Sequence, residues 1–292
     1  MPVLSFSKWS PGGNTTLFLP AADVPFRQQA SLASHVLGER FLSAEQAGFV
    51  DIAQHRLRMA GGEFCVNASR AFGALLALRE CERSPRQALL DGMAQASYGG
   101  EAYEHRCEIM VSGWQSPVVL HVHGCAPCWE VTASLRLPLL HPRQSGPGMT
   151  LVRLPGISHM LLDATMHPMP EAHQQALEQT MLLLRQTWQL ENDVAVGAIW
   201  WREVQGQLEM FPLVHVRDPR SICLESACGS GALALALALS QSGGKRRFDI
   251  LQPSGSLLHV ALREEGEERR AEIGGPVHLV ARGTVWLPEE NA

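Results

Sequence analysis

The sequence predicts a mixed α/β fold of the α+β kind, built as two similar halves, each with β-strands around one buried helix. Three observations point to it. Strand and helix candidates follow one another in the same order in both halves. Each half has one Ala/Leu-rich helical stretch opened by a cysteine and small residues: Phe64-Cys65-Val66-Asn67-Ala68 and Ala227-Cys228-Gly229-Ser230-Gly231. A stretch rich in Pro, Gly and polar residues, 140–148, divides the chain nearly in half and reads as a linker. The expected units are 1–145, carrying Cys65, and 146–292, carrying Cys228.

In the first half a strand candidate at 15–19 precedes a helical stretch at about 26–41. Strands follow at 49–53 and 56–59, then the turn Gly61-Gly62, Cys65 and its helix. Three β-like runs, 107–111, 118–122 and 129–135, complete it. The second half repeats the plan: strands at 150–154 and 159–162, a helix at about 171–189, and strands at 194–201 and 208–216. Cys228 and its helix come next, stopped by Gly243-Gly244, as helices commonly are. The runs 248–252, 257–262 and 277–286 close the chain, with Pro253-Ser254-Gly255 as a turn between the first two. The alternation of Ala and Leu over 232–239 has no polar phase. Both residues are strong helix formers, so the run reads as a helix buried on all sides. Residues 71–78 play the same part in the first half.

The chain has 292 residues, 46% hydrophobic and 18% charged, with a formal net charge of −5. That is the composition of a globular protein without nucleic acid as a main partner. No apolar run reaches the ~18 residues a membrane span needs, and the N-terminus shows no signal-peptide pattern. A cytoplasmic protein without a membrane partner is expected. Its seven cysteines are odd in number and fit reduced thiols better than a disulfide framework.

A thiol at a helix N-terminus lies in the positive end of the helix dipole, which favours the thiolate. The free N–H groups there bind anions. Two such thiols facing one amino acid carboxylate could remove a proton from Cα on one face and return one on the other. The ordinary alternative for a single cysteine is packing, and that reading stands for the other five.

The paired motifs Cys65-Val66-Asn67-Ala68 and Ala227-Cys228-Gly229-Ser230-Gly231 resemble those of the diaminopimelate epimerase superfamily, the cofactor-independent racemases and epimerases with two cysteine bases. Phe6 to Asn14, Glu45-Gln46, Gly156-Ile157-Ser158-His159, Gln252 to Leu257 and Gly283-Thr284-Val285-Trp286 extend the resemblance over nearly the whole chain. Within the superfamily, Met59-Ala60-Gly61-Gly62-Glu63-Phe64-Cys65, Glu45-Gln46-Ala47-Gly48-Phe49, Glu225 and Ser230 are most similar to the histidine racemases of staphylopine-type opine metallophore pathways. The resemblance implies two pseudo-symmetric domains, each a sheet or barrel around a central helix, with the site in the cleft between them. It implies Cys65 and Cys228 as catalytic bases, and Asn14, Glu45, Gln46, Val66, Asn67, Glu225, Gly229 and Ser230 as substrate-binding residues. It implies no pyridoxal phosphate, no metal, an amino acid as the small-molecule partner, and allows a homodimer.

Departures from the epimerase pattern narrow the substrate. Val66 stands where a glycine is usual and adds bulk beside the substrate. Ala195 and Gly197 replace an Asn-Val-Asn stretch, and the Trp-Glu-Arg-Gly stretch before the second cysteine is missing. Those elements hold the distal end of diaminopimelate, so a shorter amino acid, histidine first, is expected. Glu45 or Glu225 beside an imidazole would favour it, although Glu225 could instead order the turn before Cys228. The alternatives are diaminopimelate or another amino acid as substrate, a phenazine-biosynthesis type of isomerase (which lacks the cysteine pair), or an inactive amino acid-binding protein of the same fold. His121, His123, Cys125 and Cys128 invite a zinc reading, but Ala126-Pro127 between two β-runs fits a hairpin turn better, and no metal site is expected.

Overall fold

The computed structural model describes residues 3–38, 40–83, 103–138, 140–266 and 268–287. The first half begins with β1 (Val3–Pro11) and β2 (Thr16–Pro20), followed by α1 (Gln29–Val36), β3 (Gln46–Asp51) and β4 (Arg56–Met59). Then come α2 (Val66–Arg83) and the strands β5 (Tyr103–Val111), β6 (Val118–Cys125) and β7 (Cys128–Pro138). The second half has β8 (Arg143–Gly146), β9 (Met149–Leu154), β10 (Ile157–Asp163), α3 (Gln174–Thr187), β11 (Ala195–Val204), β12 (Gln207–Val216) and β13 (Ser221–Leu224). It ends with α4 (Gly229–Gly243), β14 (Arg247–Leu251), β15 (Leu257–Glu265) and the long β16 (Glu268–Trp286).

Every expected strand and helix has a counterpart, with shifted ends. The first expected helix is split: a 3-10 turn at Phe26–Gln28 leads into α1, which stops short of Gly38. Helix α3 is shorter than expected because His173 caps it, its ring accepting the Ala176 N–H at 3.2 Å. Residues 140–148 are not a free linker. Gly146 and Gly148, both at positive φ, turn the chain so that β8 pairs antiparallel with β9.

The strands hydrogen-bond in the order β1 to β7, then β16, β15, β14, β12, β11, β10, β9 and β8. Because β16 also pairs with β1, the first seven strands and β16 close into a barrel. The pairs β2–β3, β4–β5, β10–β11 and β12–β14 are parallel. A parallel pair needs a crossover connection, and α1, α2, α3 and α4 lie in these four connections. Each half therefore contains the same two crossovers, and the second places a cysteine at the start of its helix.

Both cysteine helices are buried. Leu233, Leu235 and Leu237 of α4 and Ala71, Phe72 and Ala74 of α2 expose nothing. Helix α2 packs against β1, β2, β5, β6, β7 and β16, and α4 against β9, β10, β14, β15 and β16. One apolar core runs through both sets of contacts. A fully buried leucine contributes about 2 kcal/mol, so these helices are fixed platforms for the residues at their N-termini. The two N-termini abut: a Cβ on Gly229 would lie 2.8 Å from Asn67 Oδ1 and 2.9 Å from Val66 Cβ. Only glycine allows that approach.

Candidate active site

Where α2 and α4 meet, a cavity is lined by both Cys65 and Cys228. Each cysteine is the N-cap of its helix. The Cys65 sulfur accepts the Ala68 N–H at 3.3 Å, and the Cys65 carbonyl accepts the Ser69 N–H at 3.0 Å. The Cys228 sulfur accepts the Gly231 N–H at 3.4 Å, and its carbonyl accepts the Ala232 N–H at 2.9 Å. These are the same bonds at the same offsets. They leave the first N–H groups of each helix, at Val66 and Asn67 and at Gly229 and Ser230, without an intrahelical acceptor.

The cavity also gathers Asn14, Glu45, Gln46, Asn67, Glu225, Gly229 and Ser230. Of the residues expected to bind substrate, Val66 alone is not among its lining. Its side chain is buried against Gly229, so its bulk fills the joint between the helices.

Two polar chains tie the first half to the residues just before Cys228. In one, the Cys65 thiol donates to Gln46 Oε1 at 3.1 Å, Gln46 Nε2 donates to Asn14 Oδ1, and Asn14 Nδ2 donates to Glu45 Oε2 at 3.0 Å. The Ser226 N–H donates to the same Glu45 oxygen at 3.0 Å. In the other, the fully buried Arg70 donates to Asn67 Oδ1 at 3.2 Å and to the carbonyls of Val131 and Pro276. Asn67 Nδ2 then donates to the Ala227 carbonyl at 3.0 Å. Among the described residues Arg70 has three hydrogen-bond acceptors, none a carboxylate, and burial outweighs the charge of Glu130 to lower its pKa to about 10.

Sequence reasoning assigns no role to Arg70, Gln252, His159 or Glu63. Gln252 Oε1 accepts the Cys228 N–H at 2.9 Å. His159 Nε2 lies 3.0 Å from Ser230 Oγ, which lies 3.6 Å from the Cys228 sulfur. Burial pushes the His159 pKa down to about 3, so the ring is neutral at physiological pH. A Cβ on Gly197 would come within 2.3 Å of His159 Nδ1. The glycine in place of an asparagine thus makes room for that ring. Glu63 lines the cavity and is 7% exposed. The hydrophobic wall of Leu37, Val214, Val216 and Pro219 is equally unassigned, because nothing in its local sequence sets it apart.

The electrostatics correct one expectation. Burial, followed by the charge of Glu225, pushes the Cys65 thiol up to about 12. Burial and Glu225 likewise hold Cys228 well above its ordinary value. A helix terminus contributes about 0.3–2 kcal/mol, whereas three pKa units are worth about 4 kcal/mol. Desolvation wins, and with only the protein's own groups around them both cysteines are thiols. The carboxyls respond in the same direction. Burial raises Glu225 to about 8 and Glu63 to about 7, and raises Glu45 as well. Among the described lining residues there is no Lys, Arg or His to offset these three acids.

The hairpin expected at Cys125–Cys128 is present, with β6 and β7 antiparallel and Cys125 paired with Cys128. The Cys128 sulfur lies 3.0 Å from His278 Nδ1. Among the described residues no group of three or more His, Cys, Asp or Glu side chains is placed to hold a metal. All seven cysteines are free. No described helix is long and apolar enough to cross a membrane.

A family model described as the histidine racemase CntK N-terminal domain matches residues 3–286. A histidine racemase of Fusobacterium nucleatum is 29% identical over 289 residues, covering 98% of each chain. A histidine racemase of Staphylococcus aureus is 23% identical over 296 residues, again covering 98% of each. Among solved structures, a hydroxyproline epimerase of Agrobacterium vitis with bound trans-4-hydroxy-L-proline superposes with a TM-score of 0.60 at 14% identity. That match covers 98% of this chain and 91% of the epimerase. A Pseudomonas aeruginosa protein described as a predicted epimerase gives a TM-score of 0.61 at 13% identity, over 98% and 100% of the two chains.

Proposed function

This chain belongs to the family of the histidine racemase CntK N-terminal domain, and on that premise we propose that it interconverts L- and D-histidine by two-base proton transfer at Cα. The observation that carries the proposal is the pair of thiols in one cavity, each capping a buried helix and each accepting the N–H of the residue three positions on.

The substrate carboxylate sits on the unclaimed N–H groups of Val66, Asn67, Gly229 and Ser230. Its α-ammonium group brings positive charge beside the thiols and favours the thiolate that burial alone opposes. One cysteine, as thiolate, takes the Cα proton and becomes a thiol. The electron pair left on Cα is delocalised into the carboxylate, where the fixed N–H groups stabilise the growing charge. The other cysteine gives its proton to the opposite face and becomes the thiolate. The next turnover in the reverse direction uses the same groups with roles exchanged. Neither pyridoxal phosphate nor a metal enters this scheme. The two halves, 1–145 and 146–292, act as pseudo-symmetric domains of the diaminopimelate epimerase type, with α2 and α4 as their central helices. The enzyme works in the cytoplasm, where thiols stay reduced, supplying D-histidine to opine-type metallophore assembly.

Deuterium uptake at Cα, followed across a panel of L-amino acids in D₂O without added cofactor, tests the proposal. Fast exchange of histidine with inversion is the expected result. Faster turnover of LL-diaminopimelate would overturn the substrate, and no exchange of any amino acid would leave a binding protein.

A further inference from the structure

Glu63 lines the reaction cavity and takes no part in the proton transfer. One of its oxygens, Oε2, accepts the Gly61 N–H at 2.9 Å. A Cβ built on Gly61 would lie 2.3 Å from Val216 Cγ1, 2.8 Å from Glu63 Oε2 and 3.1 Å from Pro219 Cδ. The carboxyl, Val216 and Pro219 therefore crowd one point on the cavity wall. Leu37, Ala60 and Val214 also line the cavity. The other two glutamates are engaged elsewhere. Glu45 accepts from Asn14 and Ser226, and the charge of Glu225 acts on the Cys228 thiol.

A carboxyl flanked by aliphatic side chains suits a flat ring that carries one N–H on an otherwise apolar outline. The ring faces pack on the aliphatic groups, and the N–H needs an acceptor because an unpaired buried donor is costly. Arg58 attracts the Glu63 charge and Asp218 repels it. Burial outweighs these and the backbone N–H bonds from Gly61 and Glu63 itself and raises the carboxyl to about 7, so a cationic or N–H-bearing ring arriving there would add a partner for its charge.

We propose that Glu63 is the residue that selects the substrate side chain: its carboxylate accepts a hydrogen bond from the imidazole N–H while Val216 and Pro219 pack against the ring. The proposal rests on the histidine reading above and adds the recognising group.

The test compares histidine with L-3-(2-thienyl)alanine, which keeps a five-membered aromatic ring and has no N–H. Glu63→Gln keeps the shape and an acceptor for Gly61 but loses the charge. It should raise KM for L-histidine about 10–100-fold with kcat nearly unchanged, the loss of a charge-assisted hydrogen bond made in ground and transition states alike. The inhibition constant of thienylalanine should stay within about threefold. Glu63→Asp, which keeps the charge on a shorter arm, should fall between wild type and Glu63→Gln. Equal losses for the two compounds, or an unchanged KM for histidine, would overturn the role of Glu63. A wild-type enzyme inert towards histidine but active on another amino acid would instead overturn the histidine reading, and this proposal with it.

Discussion

Cys65 opens α2 and Cys228 opens α4, and each sulfur accepts the N–H three residues on, at 3.3 and 3.4 Å. Their surroundings differ. Cys65 is half-buried, and its thiol points to an amide oxygen, Gln46 Oε1. Cys228 is buried under the influence of the Glu225 charge, with the Ser230 hydroxyl and neutral His159 beyond it. On the proposed two-base reading the backbone device is duplicated because both helix N-termini hold one carboxylate while the two thiols approach Cα from opposite faces. The side-chain partners are not duplicated, and on that reading each thiol would meet a different face of the substrate. The comparison teaches that the repeated crossover in the chain fixes where the two thiols stand, while their acidity is set one by one by what packs around them.

The largest effect should come from breaking either side outright. Cys65→Ser and Cys228→Ser should each lower steady-state racemisation by about 10²–10⁴-fold, since a serine hydroxyl is a far weaker acid than a thiol. Comparable losses from both sites, measured by polarimetry or chiral chromatography, would sustain two bases. Near wild-type rates in either variant would remove that cysteine from the chemistry.

The next effect concerns the acid that stands beside Cys228 alone. Glu225 has a folded pKa raised to about 8, with Glu45, Glu63 and Cys228 facing it. A raised carboxyl favours the fold below its unfolded pKa, and that contribution is lost as pH rises through the folded value. Ligand-free protein should therefore lose stability between about pH 4.5 and 8, by up to about 5 kcal/mol for such a buried group. Glu225→Gln should flatten that slope in thermal unfolding across the range. An unchanged slope would show that Glu225 is ionised at little cost.

Kinetics sharpen the same contrast. Because the charge of Glu225 acts on the Cys228 thiol, Glu225→Gln should act mainly on kcat, at about 1–3 kcal/mol, with a smaller change in KM. A selective rise in KM for histidine would place it on the imidazole instead. Ser230→Ala removes the hydroxyl between Cys228 and His159 and should cost about 0.5–1.5 kcal/mol in kcat/KM.

Much of this is legible in the residues. A cysteine followed by small residues and then an Ala/Leu run marks a capped, buried helix, and two of them in equivalent places mark the site. The motifs around Asn14, Glu45, Gln46, Asn67, Gly229 and Ser230 identify the polar part of the cavity lining. Other features are hidden in the linear chain. Strand β8 looks like a linker because its turn glycines are loop residues until β9 pairs with it. Strand β13 has four half-buried residues and no alternation to betray it. The thiol acidities depend on desolvation, which exists only once both halves close over the cavity, and local sequence points to the helix dipole instead. Glu63 is hidden for a related reason: an isolated glutamate reads as a surface charge until the wall of Val216 and Pro219 encloses it.

The measurement that bears most directly on the two-base account is Cα–H exchange in D₂O by each single cysteine variant, run separately with L- and D-histidine. Wild type should exchange both enantiomers with inversion. Each variant should retain exchange of one enantiomer without inversion, and the retained enantiomer should be opposite for Cys65→Ser and Cys228→Ser, because the one remaining thiolate stands on opposite faces in the two variants. Exchange of the same enantiomer by both variants, or continued inversion by either, would contradict it.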